Sequence, residues 1–267
     1  MITQSVTAPE PNLPQEWLVP QWPVPANVRS VCTTRFRGVS VGGYGSLNLG
    51  NHVGDSVDAV QQNRRIFQSA MGVDTVFLNQ VHGVDTLEIT GDALDGVTAD
   101  GACTSAANLA CTVMVADCLP ILVCVVANGR AVQVAALHAG WRGLAAGVID
   151  EYFKQKVPIA LVDEARSAIE IVAWMGPCIG PQAFEVGEDV RAAFGAACTD
   201  CFAPTAKGKY LADLAQLARR RLVSNGVSRV YGNDGTPSWC TYQNSSQFFS
   251  HRRDRVSGRQ AASIWLV

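Results

Sequence analysis

The sequence predicts a body built mainly of buried strands, with helices set between them. Three observations carry that prediction. Hydrophobic residues fill 48% of the 267 positions and charged residues only 16%, below the usual quarter, which excludes intrinsic disorder and a coiled coil. Short apolar runs recur between turn signals, the pattern of strands buried in a core. No internal repeat and no linker follows residue 27, so a single domain over 28–267 is expected after a lead-in over 1–27.

The lead-in holds six of the twelve prolines, which keeps it extended, with Trp17 and Trp22 placed to pin it to the body. Val28 to Arg35 reads as a strand. Residues 38–54, GVSVGGYGSLNLGNHVG, are too long and too specific for a simple turn and read as a functional loop. Residues 56–71 read as a helix capped by Asp55 or Ser56 and stopped by Gly72. Val76 to Val81 reads as a strand delivering His82-Gly83. An extended stretch at 85–90 and a turn-rich link at 92–101 follow. Leu109 to Ala116 and Ile121 to Ala127 read as buried strands on either side of Asp117-Cys-Leu-Pro120, and Asn128-Gly129 is a hairpin signal. Ala131 to Leu137 is the return strand, delivering His138. A helix is predicted over about 143–154, a strand over 169–174, helices over 187–196 and 210–224, a strand over 229–231, and an apolar strand at the end of 248–267.

Formal net charge is −2, which gives no footprint for non-specific nucleic-acid binding. Residues 205–267 nevertheless hold ten Lys/Arg against three acids. Such a quarter suits an anionic ligand such as phosphate, and a solvated basic face accounts equally well for most of it. Nine cysteines are an odd count and too few for a disulfide scaffold. No signal peptide or membrane span is read, since Asp117 and Pro120 interrupt the most apolar stretch. A cytoplasmic protein with reduced thiols is expected.

Four histidines are present: 52, 82, 138 and 251. His82 and His138 each follow an apolar strand and precede Gly or Ala-Gly, and Cys118 follows another strand. Strand ends line the rims of sheets, where pockets form. The separations of 36 and 20 residues are not those of a local structural zinc site. Three N/S ligands would leave a metal one open position, the catalytic pattern. Hydrogen-bonded histidines with a buried Cys, or a metal-free Cys118–His138 pair with a thiolate nucleophile, fit the same residues. Asp117 suits a carboxylate that orients a ligand histidine or moves a proton, and equally a cap on its own turn. Arg142, in a glycine-bounded strand-to-helix turn, suits an anion or a neighbouring carboxylate. Asn48 suits a sugar or base contact, or a turn. His52 and His251 read as surface or structural.

Taken together, the motifs resemble those of the laccase-domain family, whose members carry the names polyphenol oxidase and peptidoglycan editing factor and are regarded as purine nucleoside phosphorylases with adenosine deaminase activity. The resemblance rests on Gly38-Val-Ser40, Ser46-Leu-Asn-Leu-Gly50, His52-Val-Gly-Asp55, Asn63-Arg64, Asn79-Gln-Val-His-Gly83, Ala99-Asp-Gly101, Asp117-Cys-Leu-Pro120, His138-Ala-Gly-Trp-Arg-Gly143, Gly176-Pro-Cys-Ile-Gly180 and the ending around Arg252, Gly258 and Arg259. It spans residue 28 to the C-terminus as one catalytic domain. It implies an α+β fold of mixed β-sheets packed as a sandwich flanked by helices, with His82, Cys118 and His138 as zinc ligands and catalytic centre. It implies phosphorolysis of adenosine, inosine and methylthioadenosine, with adenosine deamination as a second activity.

Elementary chemistry bears on each implied activity. A multicopper oxidase needs about ten His ligands, which four cannot supply, so copper would be a stand-in ion in the three-ligand site. Zinc-activated water can attack C6 of adenine, with Asp117 as the proposed acid/base. Phosphorolysis needs an anion seat, for which Arg142 and Arg64 are the candidates. A Cys–His hydrolase editing a peptidoglycan precursor, with Cys118 as nucleophile, and a non-catalytic nucleotide-binding module are the alternatives.

Overall fold

In a computed structural model, which describes residues 11–157 and 169–267, two sheets face each other and helices cover their outer sides. The first sheet has four strands in the order β1-β13-β5-β2: β1 (Val28–Cys32), β13 (Gln260–Leu266), β5 (Leu109–Val115) and β2 (Asp74–Phe77). The second has six, in the order β12-β8-β6-β7-β4-β3: β12 (Arg229–Gly232), β8 (Ile169–Met175), β6 (Leu119–Ala127), β7 (Arg130–Ala139), β4 (Gly101–Thr104) and β3 (Thr86–Glu88). Both mix parallel and antiparallel pairs.

Strand alternation explains the layering. Along β6, Leu122, Cys124 and Val126 face β5 residues Cys111 and Val113 and β13 residues Ala262 and Ile264, forming the core between the sheets. Their neighbours Leu119, Ile121, Val123 and Val125 face the other way, into a core with Leu144, Val148, Tyr152 and Leu217 from the helices. A strand buried on both faces has no polar side to show, so β5 and β6 read as continuous apolar runs. A third core, outside the four-stranded sheet, joins Val31, Phe77, Met114 and Trp265 to Phe67 and Met71 of α1 (Val57–Met71). The sandwich flanked by helices is therefore the architecture observed.

Several elements are shorter or divided relative to expectation, for local reasons. Helix α1 starts at Ser56, whose hydroxyl accepts from the Ala59 N–H, and ends at Gly72 with φ 69°. The strand expected over 76–81 stops at Phe77, because the N–H groups of 81–83 turn toward a buried carboxylate rather than a neighbouring strand. The helix expected over 143–154 is two, α2 (Trp141–Ala146) and α3 (Val148–Lys156), broken at Gly147 with φ 100°, which glycine adopts freely. The helix expected over 187–196 is α4 (Glu188–Ala193), ended at Gly195 with φ 73° and followed by a 3-10 turn at Ala196–Cys201. The helix expected over 210–224 begins only at Asp213, whose carboxylate caps α5 (Leu214–Ser224). The residues before it form β11 (Lys209–Ala212), which pairs with β9 (Glu185–Gly187) and β10 (Phe202–Pro204) in a small third sheet. In the lead-in, Trp17 is buried against Phe67 and Leu18 bridges to Cys32; Trp22 donates to the Ser30 hydroxyl. Its residues 1–10 lie outside the described part. Among the described residues no helix is long and apolar enough to cross a membrane.

Candidate metal centre

His82, Cys118 and His138 converge from three segments, each offering a ligand atom within 4.8 Å of the others. Cys118 sits between β5 and β6. His138 lies inside β7, one residue before its end, rather than after the strand. His82 lies in the loop beyond β2, at φ 63°. Cys118 Sγ is 3.6 Å from His82 Nε2, and the two imidazole rings meet edge to face at 4.8 Å.

One carboxylate organises both histidines. Asp100, fully buried, accepts His138 Nδ1 at 2.8 Å. It also accepts the backbone N–H groups of Val81, His82 and Gly83 at 3.2, 2.9 and 2.6 Å. With Nδ1 engaged, Nε2 of His138 is left to ligate, as second-sphere carboxylates commonly arrange. The role considered for Asp117 thus belongs to Asp100, which the sequence held in Ala99-Asp-Gly101 but which no periodicity marks. Asp117 turns elsewhere: it accepts from the Thr241 hydroxyl at 2.7 Å and the Arg252 N–H at 2.6 Å, tying the β5–β6 turn to the C-terminal segment.

Electrostatics single out one thiol. Burial opposes ionisation of Cys118, but His138 and His82 beside it outweigh burial and hold its pKa below the ordinary thiol value. Burial likewise works against a charged His138, and Cys118 with Asp100 outweighs it, raising that pKa. Cys32, Cys103 and Cys124 have no such partner and are pushed up to about 12 by burial. The donor set therefore suits a thiophilic, imidazole-binding cation such as zinc. Glycine keeps the space open: a Cβ on Gly140 would lie 2.8 Å from both Cys118 Sγ and His82 Cδ2.

The cluster forms the floor of a cavity of about 370 Å³. Its lining combines apolar residues, Met114, Ile179, Phe184 and Trp141, with the arginines Arg142, Arg252, Arg255 and Arg259. Arg142 stacks on Trp141, 4.4 Å from the ring. His52 and His251, expected to be surface or structural residues, also line the cavity. Burial, together with the cationic Arg259 and Arg64, lowers the His52 pKa.

Two expected substrate residues lie outside this lining. Asn48 is fully buried and uses both ends of its amide, accepting from the N–H groups of Gly50 and Arg259 and donating to Gly50 O and Asp55 Oδ2. It clamps the glycine-rich loop to the C-terminal segment. Arg64 lies over Phe77 at 4.0 Å, donates to Leu49 O and pairs with Asp95, beside a separate groove. The arginines found instead, 252, 255 and 259, had a signal in the basic C-terminal quarter, but pattern alone cannot tell them from a solvated face.

With the geometry described, comparison with known proteins adds the following. Residues 29–267 match the family model described as "Multi-copper polyphenol oxidoreductase laccase". The chain is 44% identical over 254 residues to a protein of Escherichia coli named purine nucleoside phosphorylase YfiH, covering 94% of this chain and 98% of that one. It is 43% identical over 255 residues to a Pseudomonas aeruginosa protein also named a purine nucleoside phosphorylase, with the same coverages. A crystal structure of a Neisseria meningitidis protein superposes with a TM-score of 0.83 at 43% identity, covering 94% of this chain and 99% of that one.

Proposed function

The chain belongs to the family described as multi-copper polyphenol oxidoreductase laccases, and from that membership and its relatives' names we propose that it is a zinc-dependent purine nucleoside phosphorylase that also deaminates adenosine. The observation that carries the reading is a His82–Cys118–His138 cluster in a cavity lined by both apolar residues and arginines. Adenosine, inosine and methylthioadenosine are the proposed substrates, split by phosphate into free base and ribose 1-phosphate.

Each part of the cavity has a task in this scheme. The planar base lies against Met114, Ile179, Phe184 and Trp141, surfaces that exclude water and favour an aromatic ring. The cavity arginines, Arg142 included, seat phosphate through charge-assisted hydrogen bonds. A zinc ion held by His82, Cys118 and His138 would supply Lewis-acid polarisation at its open position. Asp100 fixes the tautomer of His138 and the direction of His82. Asp117, with both oxygens engaged, positions the C-terminal segment rather than shuttling a proton. His52, whose pKa is lowered by burial and by Arg259 and Arg64, is a cavity group able to accept one.

The test joins metal content of the purified protein to product analysis with adenosine, with and without phosphate, for wild type and His138→Ala. About one zinc per chain is expected, with phosphate-dependent adenine release and phosphate-independent inosine, all lost in the variant. No metal and no base release would overturn the reading. A second reading is favoured by the depressed pKa of Cys118 and its 3.6 Å contact with His82: a Cys–His hydrolase of peptidoglycan precursors. It requires activity that survives chelation and is lost on thiol alkylation. Phenol oxidation would need copper in the same three-ligand group, the one such group among the described residues.

A further inference from the structure

Six non-glycine residues among those described have a left-handed backbone, and three of them, His82, Asp117 and Arg255, line this one cavity. Residues held in such conformations cluster at functional sites, where the surrounding structure over-determines them. The first two have a use for the geometry. His82 presents its N–H to Asp100 and its ring to Cys118, and Asp117 bonds to Thr241 and Arg252. Arg255 has no comparable internal reason.

At φ 62° and ψ −59°, Arg255 is the centre of a three-residue turn closed by the Val256 N–H donating to Asp254 O at 2.7 Å. This is the mirror form of the common γ-turn and is strained for any residue with a side chain. Glycine would adopt it at no steric cost, yet an arginine stands there. The turn is gripped from both sides. Arg253 donates to the carbonyls of Thr241, Tyr242 and Phe248. Asn48 accepts the Arg259 N–H. Gly43 comes so close that a Cβ on it would lie 2.7 Å from the Val256 carbonyl.

The four cavity arginines differ in their partners. Arg142 stacks on Trp141, Arg252 donates to Glu185 O, and Arg259 donates to Ser257 O and Gly258 O. Among the described residues, only the Arg255 guanidinium of these four has no hydrogen bond, ion pair or ring partner. A rigid turn therefore holds an unengaged cation at the cavity. We infer that Arg255 is a substrate-contacting residue that binds the attacking phosphate, and that the fold retains a strained turn because it aims this guanidinium. The inference rests on the proposed phosphorolysis and adds the residue that selects the anion.

Arg255→Gly removes the guanidinium and relieves the turn; Arg255→Lys keeps the charge without the planar fork. With the as-purified enzyme and adenosine, the KM for phosphate is expected to rise about tenfold or more in the glycine variant, the loss of one charge-assisted contact. The rise should be smaller in the lysine variant, with the KM for adenosine nearly unchanged and thermal stability equal or higher. Inorganic phosphate binding, titrated calorimetrically, keeps the inference separate from the activity. If wild type releases no base, weaker phosphate binding in both variants still supports the role of Arg255. Equal phosphate KM and equal phosphate binding in wild type and variants would overturn it, as would a wild type that binds no phosphate.

Discussion

Asp100 carries more of the site than any ligand does. Its two oxygens accept four hydrogen bonds, from His138 Nδ1 and from three successive backbone N–H groups around His82. Asp100→Asn keeps the shape but places an amide donor among groups that are themselves donors. The loop at 81–83 would then lose part of its anchor, and His138 its tautomer. Metal affinity is expected to fall by about 10–100-fold, measured by competition with a chromogenic chelator. Unchanged affinity would show that the ligands are held by packing alone. The candidate donors His82, Cys118 and His138 were legible because each stands beside an apolar run in the sequence. Asp100 was not, since a buried carboxylate looks in sequence like any surface Asp. Asn48 and Arg64 attracted attention as polar residues in shared motifs, yet their side chains are consumed by Gly50, Asp55, Asp95 and Phe77.

At the scale of elements, the junction of β7 and α2 is the tightest constraint on the centre. Gly140 has φ −68°, a value open to any residue, so its backbone does not demand glycine. Space does, because a Cβ would meet Cys118 Sγ and His82 Cδ2 at 2.8 Å. Gly140→Ala is expected to leave the fold intact, since the neighbours are side chains that can swing aside. Doing so spreads the donor set. Metal content should drop severely while far-UV circular dichroism and the melting transition stay near wild type; full metal occupancy in the variant would refute the steric argument. Long periodic elements such as α1, β5, β6 and β7 were readable because hydrophobic pattern alone decides them. The short strands β4, β9, β10 and β11 were not, since three or four residues carry too little pattern.

For the whole molecule, stability resides in the core between the sheets. Leu122 on β6 is fully buried there, on the sheet face that also carries His138, and lies outside the cavity lining. Leu122→Ala is expected to destabilise the protein by about 2–5 kcal/mol through lost transfer energy and a cavity, read from chemical denaturation. Metal stoichiometry of the folded fraction should be unchanged, because Leu122 is not among the residues that line the cavity. Coupled loss of metal would show that the sheets do not act as independent support.

What the sequence determined by itself follows from local chemistry. It set the buried-strand composition, the capped first helix, the three candidate donors His82, Cys118 and His138, and the motif set that places the chain in its family. Only the tertiary structure decided which carboxylate orients the histidines and which arginines face the cavity, and that His52 and His251 belong to it. The reason is distance along the chain. Asp100 meets His138 across 38 residues and Arg252 meets Asp117 across 135. Neither pairing leaves a periodicity, and each exists only because the sheets and the C-terminal segment close on one another.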